Sequence, residues 1–81
     1  MNLYLLTQTD ADGYDTYDSC VVAAEDEHQA RWIHPFFGYI PDNWRNEAGW
    51  ASHPDKVTVK LLGQALPETP RGVILASYIS G

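Results

Sequence analysis

The chain contains one cysteine, only five Lys and Arg residues, and no apolar run near the length of a membrane span. Each scarcity excludes a class. A single Cys forms no internal disulfide, so this is not a stapled secreted scaffold. Crossing a bilayer as a helix takes roughly 18 consecutive apolar residues. The start, Met1-Asn2-Leu3, lacks the basic residues and long apolar stretch of a signal peptide. A cytoplasmic location, with no membrane association, is the expectation. Five bases against 11 acids leave a formal net charge of −6. Such a chain would approach phosphates against its own field, so direct nucleic-acid binding is not expected. Also missing are a Gly-rich dinucleotide loop, a phosphate loop and a nucleophile elbow. The 81 residues show no internal repeat and no low-complexity segment. That length supports one domain, residues 1–81, because a second core would leave each half too small to fold alone.

What is present is a core and a lopsided charge. The hydrophobic fraction of 44% argues against disorder. Residues 1–29 carry seven acids (Asp10, Asp12, Asp15, Asp18, Glu25, Asp26, Glu27) and no Lys or Arg. Residues 30–81 carry four acids against five bases, so the whole net charge belongs to the first third. One reading is a solubilising surface. The other is a face built to meet a basic partner, such as the phosphate-binding surface of a nucleic-acid enzyme.

Residues 1–8, rich in Leu and Tyr, read as a first strand. Thr9-Asp10-Ala11-Asp12-Gly13 is turn chemistry. Residues 14–24, centred on Val21 and Val22, read as a second strand. The two form a hairpin whose acidic tip spans residues 10–15. Residues 25–33 read as a short helix, with Asp26 suited to the positive end of its dipole. Ala30 and Ile33 give it a narrow apolar stripe. Pro35 stops the helix, and His34 closes its C-terminus, where an imidazolium is favoured. Residues 36–52 hold Phe36, Phe37, Tyr39, Trp44 and Trp50. So many aromatics imply a loop folded onto the domain, with a helical turn over residues 42–47. Residues 57–61 alternate cleanly as a strand. Residues 66–71, with Pro67 and Pro70, form a connector, and residues 72–80 read as the last strand. The result is an α+β domain of order β-β-α-(aromatic loop)-β-β. Its four- to five-stranded sheet is mostly antiparallel and carries one main helix on a face.

Three constellations invite chemistry, and each reads weakly. Counted from Asp10 as a calcium loop, Gly13 falls at the fourth position rather than the sixth, and Val21 stands where a bidentate Glu is needed. His28, His34, His53 and Cys20 contain none of the close ligand pairs typical of zinc sites. Cys20 lies mid-strand beside Val21, in the setting of a buried inert thiol. No metal and no cofactor is expected, and no catalytic residue is assigned. A chain this small has little room for a core and a substrate pocket together. Most of the aromatics read as core. Tyr and Trp left at the surface beside Asp and Ser would serve as binding anchors.

Gly13-Tyr14-Asp15, Cys20-Val21-Val22-Ala23-Ala24, Glu27, Ala30, Pro41-Asp42-Asn43-Trp44, Trp50 and Gly72-Val73-Ile74-Leu75-Ala76-Ser77 form an ordered pattern. In order and rough spacing it resembles the type II-C anti-CRISPR family that binds the HNH nuclease domain of the CRISPR effector. The stretch 13–24 also looks like small proteins of tailed phages and prophages. The resemblance covers residues 13–77. It departs at Thr16-Tyr17-Asp18, where the family is rich in Gly and Cys, and in the proline-containing connector 66–71. It also lacks the family's aromatic-acidic end of the last strand. It implies a phage-derived, non-enzymatic inhibitor acting in a bacterial cytoplasm. Asp15 and Ser77 would contact the nuclease's catalytic residues, with Tyr14, Asp12 and Asp18 in support. The partner would be an HNH-type nuclease of the host or a competing element. The inhibitor would be a monomer or weak dimer. The alternative from the residues alone is a small phage interaction or structural protein whose acidity serves solubility or assembly.

Overall fold

A nearly continuous apolar run, Leu3-Tyr4-Leu5-Leu6, and a second segment centred on β-branched Val21 and Val22 favour extended chain, and the turn chemistry between them brings the segments back antiparallel. In the computed structural model, which describes residues 1–45 and 49–80, β1 is Asn2–Thr7 and β2 is Thr16–Ala24. A short helix, α1, follows at Glu27–Arg31. Two-residue strands β3 (Ile33–His34) and β4 (Gly38–Tyr39) pair with each other. A 3-10 turn at Pro54–Lys56 leads into β5, Thr58–Gln64, and β6 is Gly72–Ile79. The main sheet has the order β5-β1-β2-β6, and every neighbouring pair is antiparallel. The architecture is α+β and mostly sheet, with the expected element order and a small second sheet that joins the end of the expected helix to the start of the aromatic segment.

Register decides what each face carries, because directly opposed residues share a face. Tyr4 lies opposite Val22, and Leu6 opposite Cys20 and Val59. These side chains, with Ala24 and Val57, meet Ala30, Ile33, Trp50 and Ala51 from α1 and the aromatic segment. Leu6 and Val22 are wholly removed from water, worth about 1.5–3 kcal/mol each. The other face bears Leu3, Leu5, Val21 and Leu75. Leu3, Leu5 and Val21 are only half-buried and Leu75 is 69% exposed, because the helix and aromatic segment pack on the opposite side.

Asp26 caps α1, its carboxylate accepting from the Gln29 N–H at 2.7 Å. This satisfies an orphan donor and opposes the helix dipole. Arg31 pairs with Glu27 one turn earlier and donates to the carbonyls of Pro54 and Val57, tying the helix to the 3-10 turn.

The helix is shorter than its sequence suggests. Trp32 ends it, and Ile33 and His34 leave the helix to pair with Tyr39 and Gly38. His34 therefore does not close the helix. It is fully buried in β3, and its Nδ1 accepts from the N–H groups of Phe36 and Phe37 at 3.0 and 3.3 Å. Pro35 belongs to the turn joining β3 and β4 rather than to a helix stop. Residues 43–45 are not helical, and the rest of the expected turn, Asn46 and Glu47, lies outside the described residues. The aromatic segment does fold onto the sheet: Trp50 is buried and Trp44 Nε1 donates to the Ala51 carbonyl at 2.9 Å. Phe36 is the exception, exposed at the tip of the small sheet. No helix among the described residues is long and apolar enough to cross a membrane.

Candidate functional site

The acidic tip is not a loose loop. Gln8, only 7% exposed, organises it from beneath. Its amide nitrogen donates to the carbonyls of Ala11 and Tyr17, both at 2.8 Å, and its amide oxygen accepts from the Ala11 N–H at 2.7 Å. Both ends of one buried side chain thus hold both sides of the turn. The Thr16 hydroxyl donates to the Gly13 carbonyl at 2.7 Å. Gly13 and Asp15 adopt positive φ, 89° and 61°, a region Asp tolerates better than most non-Gly residues. That backbone fold turns Asp15 toward the last strand. Its N–H donates to the Ile79 carbonyl, and its Oδ1 accepts from the Tyr78 hydroxyl at 3.3 Å.

The aromatic segment braces the tip from the side. Tyr17 N–H donates to the Gly49 carbonyl at 2.8 Å, and the Ser52 N–H donates to Asp10 Oδ2 at 2.8 Å. The Ser52 hydrogen bonds hold the Asp10 carboxyl below its ordinary range, helped by the positive field of Lys56. Gly49 (φ 66°) comes so close that a Cβ there would overlap the Asp15 carbonyl and Thr16 Cα. Only glycine lets the two segments meet.

Asp12, Tyr14 and Asp15 sit together on this tip, and Tyr14, 76% exposed, has no side-chain hydrogen bond or ring partner among the described residues. Asp18 is exposed where the β2–β6 register shifts between Tyr17 and Ser19. Ser77 lies on β6, directly opposite Ser19 of β2. Along β6 it precedes the Asp15-bonded Ile79 by two residues, about 7 Å of strand. The strand adjacency needed to bring Asp15 and Ser77 to one end of the sheet is therefore present. Ser77 also borders a shallow depression of about 270 Å³ on the uncovered face, lined with Leu5, Val21 and Leu75. Among the described residues no Lys or Arg pairs with Asp12, Asp15 or Asp18.

Three residues that the sequence did not flag matter here. Tyr78 holds Asp15, and its own hydroxyl pKa is pushed up by loss of hydration and by the Asp15 charge. Its ring also packs 4.7 Å from that of Tyr17. Gln8 and Gly49 have no local pattern that reveals their role, because their partners are distant in sequence.

The other candidate chemistry is dispersed. Burial pushes the Cys20 thiol up to about 12, so it carries no thiolate near neutral pH. His34 is buried in β3, and His53 caps the 3-10 turn by accepting from the Asp55 N–H at 3.1 Å. Among the described residues no three His, Cys, Asp or Glu side chains converge as metal ligands. Comparison with protein families, curated proteins and solved structures finds no match to this chain.

Proposed function

We propose that the chain is a non-catalytic, phage-derived inhibitor that seats its acidic hairpin end in the active site of an HNH-type nuclease. One observation carries the reading. Asp15 is an exposed carboxylate held by its backbone and by Tyr78, and among the described residues its Oδ2 has no hydrogen bond and no cation pairs with it. An HNH site is built to hold a scissile phosphate beside a metal and a catalytic His. A preorganised carboxylate suits the same position as a charge-assisted acceptor, and its rigidity reduces the entropy lost on binding. Ser77 would add a hydroxyl from the neighbouring strand. Asp12, Asp18 and Tyr14 would extend the contact.

The test is cleavage of duplex DNA by a purified HNH nuclease titrated with the protein and its Asp15→Arg and Ser77→Ala variants. Wild type inhibits to completion near one equivalent. Asp15→Arg does not inhibit, and Ser77→Ala inhibits several-fold less well. Equal inhibition by wild type and Asp15→Arg contradicts the proposal.

A second reading, an interaction or structural protein without nuclease inhibition, is favoured by the half-exposed Leu3, Leu5 and Val21 and the exposed Leu75. On that reading Asp15→Arg is silent and Leu75→Lys loses the partner.

A further inference from the structure

The turn at the acidic tip is gripped on both sides and left loose at one peptide. Gln8 binds the N–H and the carbonyl of Ala11, and the Thr16 hydroxyl donates to the carbonyl of Gly13. Between those grips lies the peptide joining Asp12 to Gly13. Both residues are exposed. Among the described residues neither the Asp12 carbonyl nor the Gly13 N–H has a hydrogen-bond partner, and no cation pairs with the Asp12 carboxylate. Gly13 adopts φ 89°, and nothing lies within 4 Å of the place a Cβ would take. No side chain therefore screens the Gly13 nitrogen from the carboxyl that precedes it.

The other aspartates are placed differently. None of them, and no asparagine, is followed by glycine. After Asp10, the Ala11 N–H donates to Gln8, and the Asp10 carboxylate itself accepts from Ser52. After Asp42, the Asn43 N–H donates to the Ile40 carbonyl, and after Asp55 the Lys56 N–H donates to the His53 carbonyl. The Asp26 carboxylate is occupied in capping α1. Asp15 and Asp18 lead into Thr16 and Ser19, which are fixed in β2. Only at Asp12 do an unscreened nitrogen, an unbonded peptide and an unpaired carboxylate coincide.

We propose that the Asp12–Gly13 peptide is a site of spontaneous covalent rearrangement in the folded protein. The Gly13 nitrogen attacks Cγ of the Asp12 carboxyl in its acid form. A Cγ–N bond forms and the Cγ–OH bond breaks. The hydroxyl leaves as water with the proton from nitrogen, which closes a succinimide ring. Water then opens the ring. Cleavage of the new Cγ–N bond restores Asp12. Cleavage of the bond from nitrogen to the main-chain carbonyl carbon leaves an isoaspartate, with the chain running through the former side chain. Water is the only co-reactant. The ring closes when the carboxyl carbon and the next nitrogen can meet, and a glycine without hydrogen bonds adjusts its backbone for this at least cost. The product carries an extra methylene in the backbone between Ala11 and Gly13, so the grips of Gln8 and Thr16 no longer match the length of chain between them. The rearrangement concerns the protein alone and is independent of any nuclease.

Ageing of the purified protein tests it. One sample is held for weeks in mildly acidic buffer at physiological temperature, and a second in concentrated urea. Peptide mapping then locates isoaspartate, which separates from aspartate at unchanged mass, and succinimide, which is lighter by one water. In the folded sample isoaspartate is expected at residue 12, at least about tenfold above any other aspartate, because the remaining peptides are held by the fold. Unfolding in urea is expected to raise the rate at residue 12 by no more than about threefold, because that peptide is already loose. Asp12→Glu, whose longer side chain closes the corresponding ring far more slowly, is expected to lose the product. Circular dichroism checks that the variant is folded. Isoaspartate at residue 12 only in urea, comparable amounts at other aspartates of the folded protein, or an unchanged total in Asp12→Glu overturns the proposal.

Discussion

The two faces of the main sheet are made of similar side chains and meet different surroundings. Tyr4, Leu6, Cys20 and Val22 face α1 and the aromatic segment and are buried. Leu3, Leu5, Val21 and Leu75, one residue out of phase, face outward. The same strand therefore buries one half of its apolar residues in the core and leaves the other half without a cover. The acidic tip lies at the end of the sheet, where Tyr78 of β6 holds Asp15, and Ser77, one residue earlier in the strand, belongs to the outward face.

The comparison predicts a steep asymmetry in mutational cost. Leu6→Ala should destabilise by about 3–4 kcal/mol, because it removes a fully buried side chain and leaves a cavity. Leu75→Ala should cost no more than about 0.5 kcal/mol in the monomer. Urea unfolding of both variants checks this, and similar costs would break the distinction between faces.

Cys20 sharpens the same contrast through pH. Its thiol is raised from 9.0 to about 12 by burial, so the unfolded chain ionises first as pH rises. The contribution is fully present below pH 9 and is lost progressively between pH 9 and 12. Tyr78, also raised, acts in the same direction. Thermal melts of wild type should fall across that window, and Cys20→Ser, which removes the thiol's titration, should flatten part of the fall. Native Cys20 should resist thiol reagents at neutral pH and react only on unfolding.

Gly49→Ala is the next largest change. Its Cβ would collide with the backbone of Asp15 and Thr16, so the aromatic segment must withdraw from the hairpin. A loss of about 2–3 kcal/mol is expected from positive φ and the lost contacts together. Gln8→Ala should cost about 1–2 kcal/mol, with three hydrogen bonds removed and water able to replace some of them. Amide exchange should speed at Ala11 and Asp15 in both variants while the strand centres stay protected.

The fold was largely legible because it rests on local signals. Alternation over Val57-Thr58-Val59-Lys60-Leu61 marked β5, Asp26 marked the helix start, and Pro67 and Pro70 marked the last connector. The early helix stop was not legible. Ile33 continues the apolar stripe begun by Ala30, and the pairing of Ile33 and His34 with Tyr39 and Gly38, a tertiary event, overrides it. The uncovered face was hidden for a related reason: composition gives the number of apolar residues but not which face receives a cover. At the candidate site, the acids of the tip and Ser77 were visible as residue types. Gln8, Gly49 and Tyr78 were not, because each acts through a partner at a distance in the chain or through geometry alone.

The central claim is that Asp15, held rigid at the acidic end, is the group a nuclease recognises. Calorimetric titration of a purified HNH nuclease with wild type and Asp15→Arg tests it most directly. The account predicts saturable one-to-one binding by wild type and at least about 100-fold weaker binding by Asp15→Arg. The variant should still be folded but melt somewhat lower, because Arg is less suited to the positive φ at position 15 and loses the Tyr78 hydrogen bond. Indistinguishable affinities, or no binding by wild type, would contradict it.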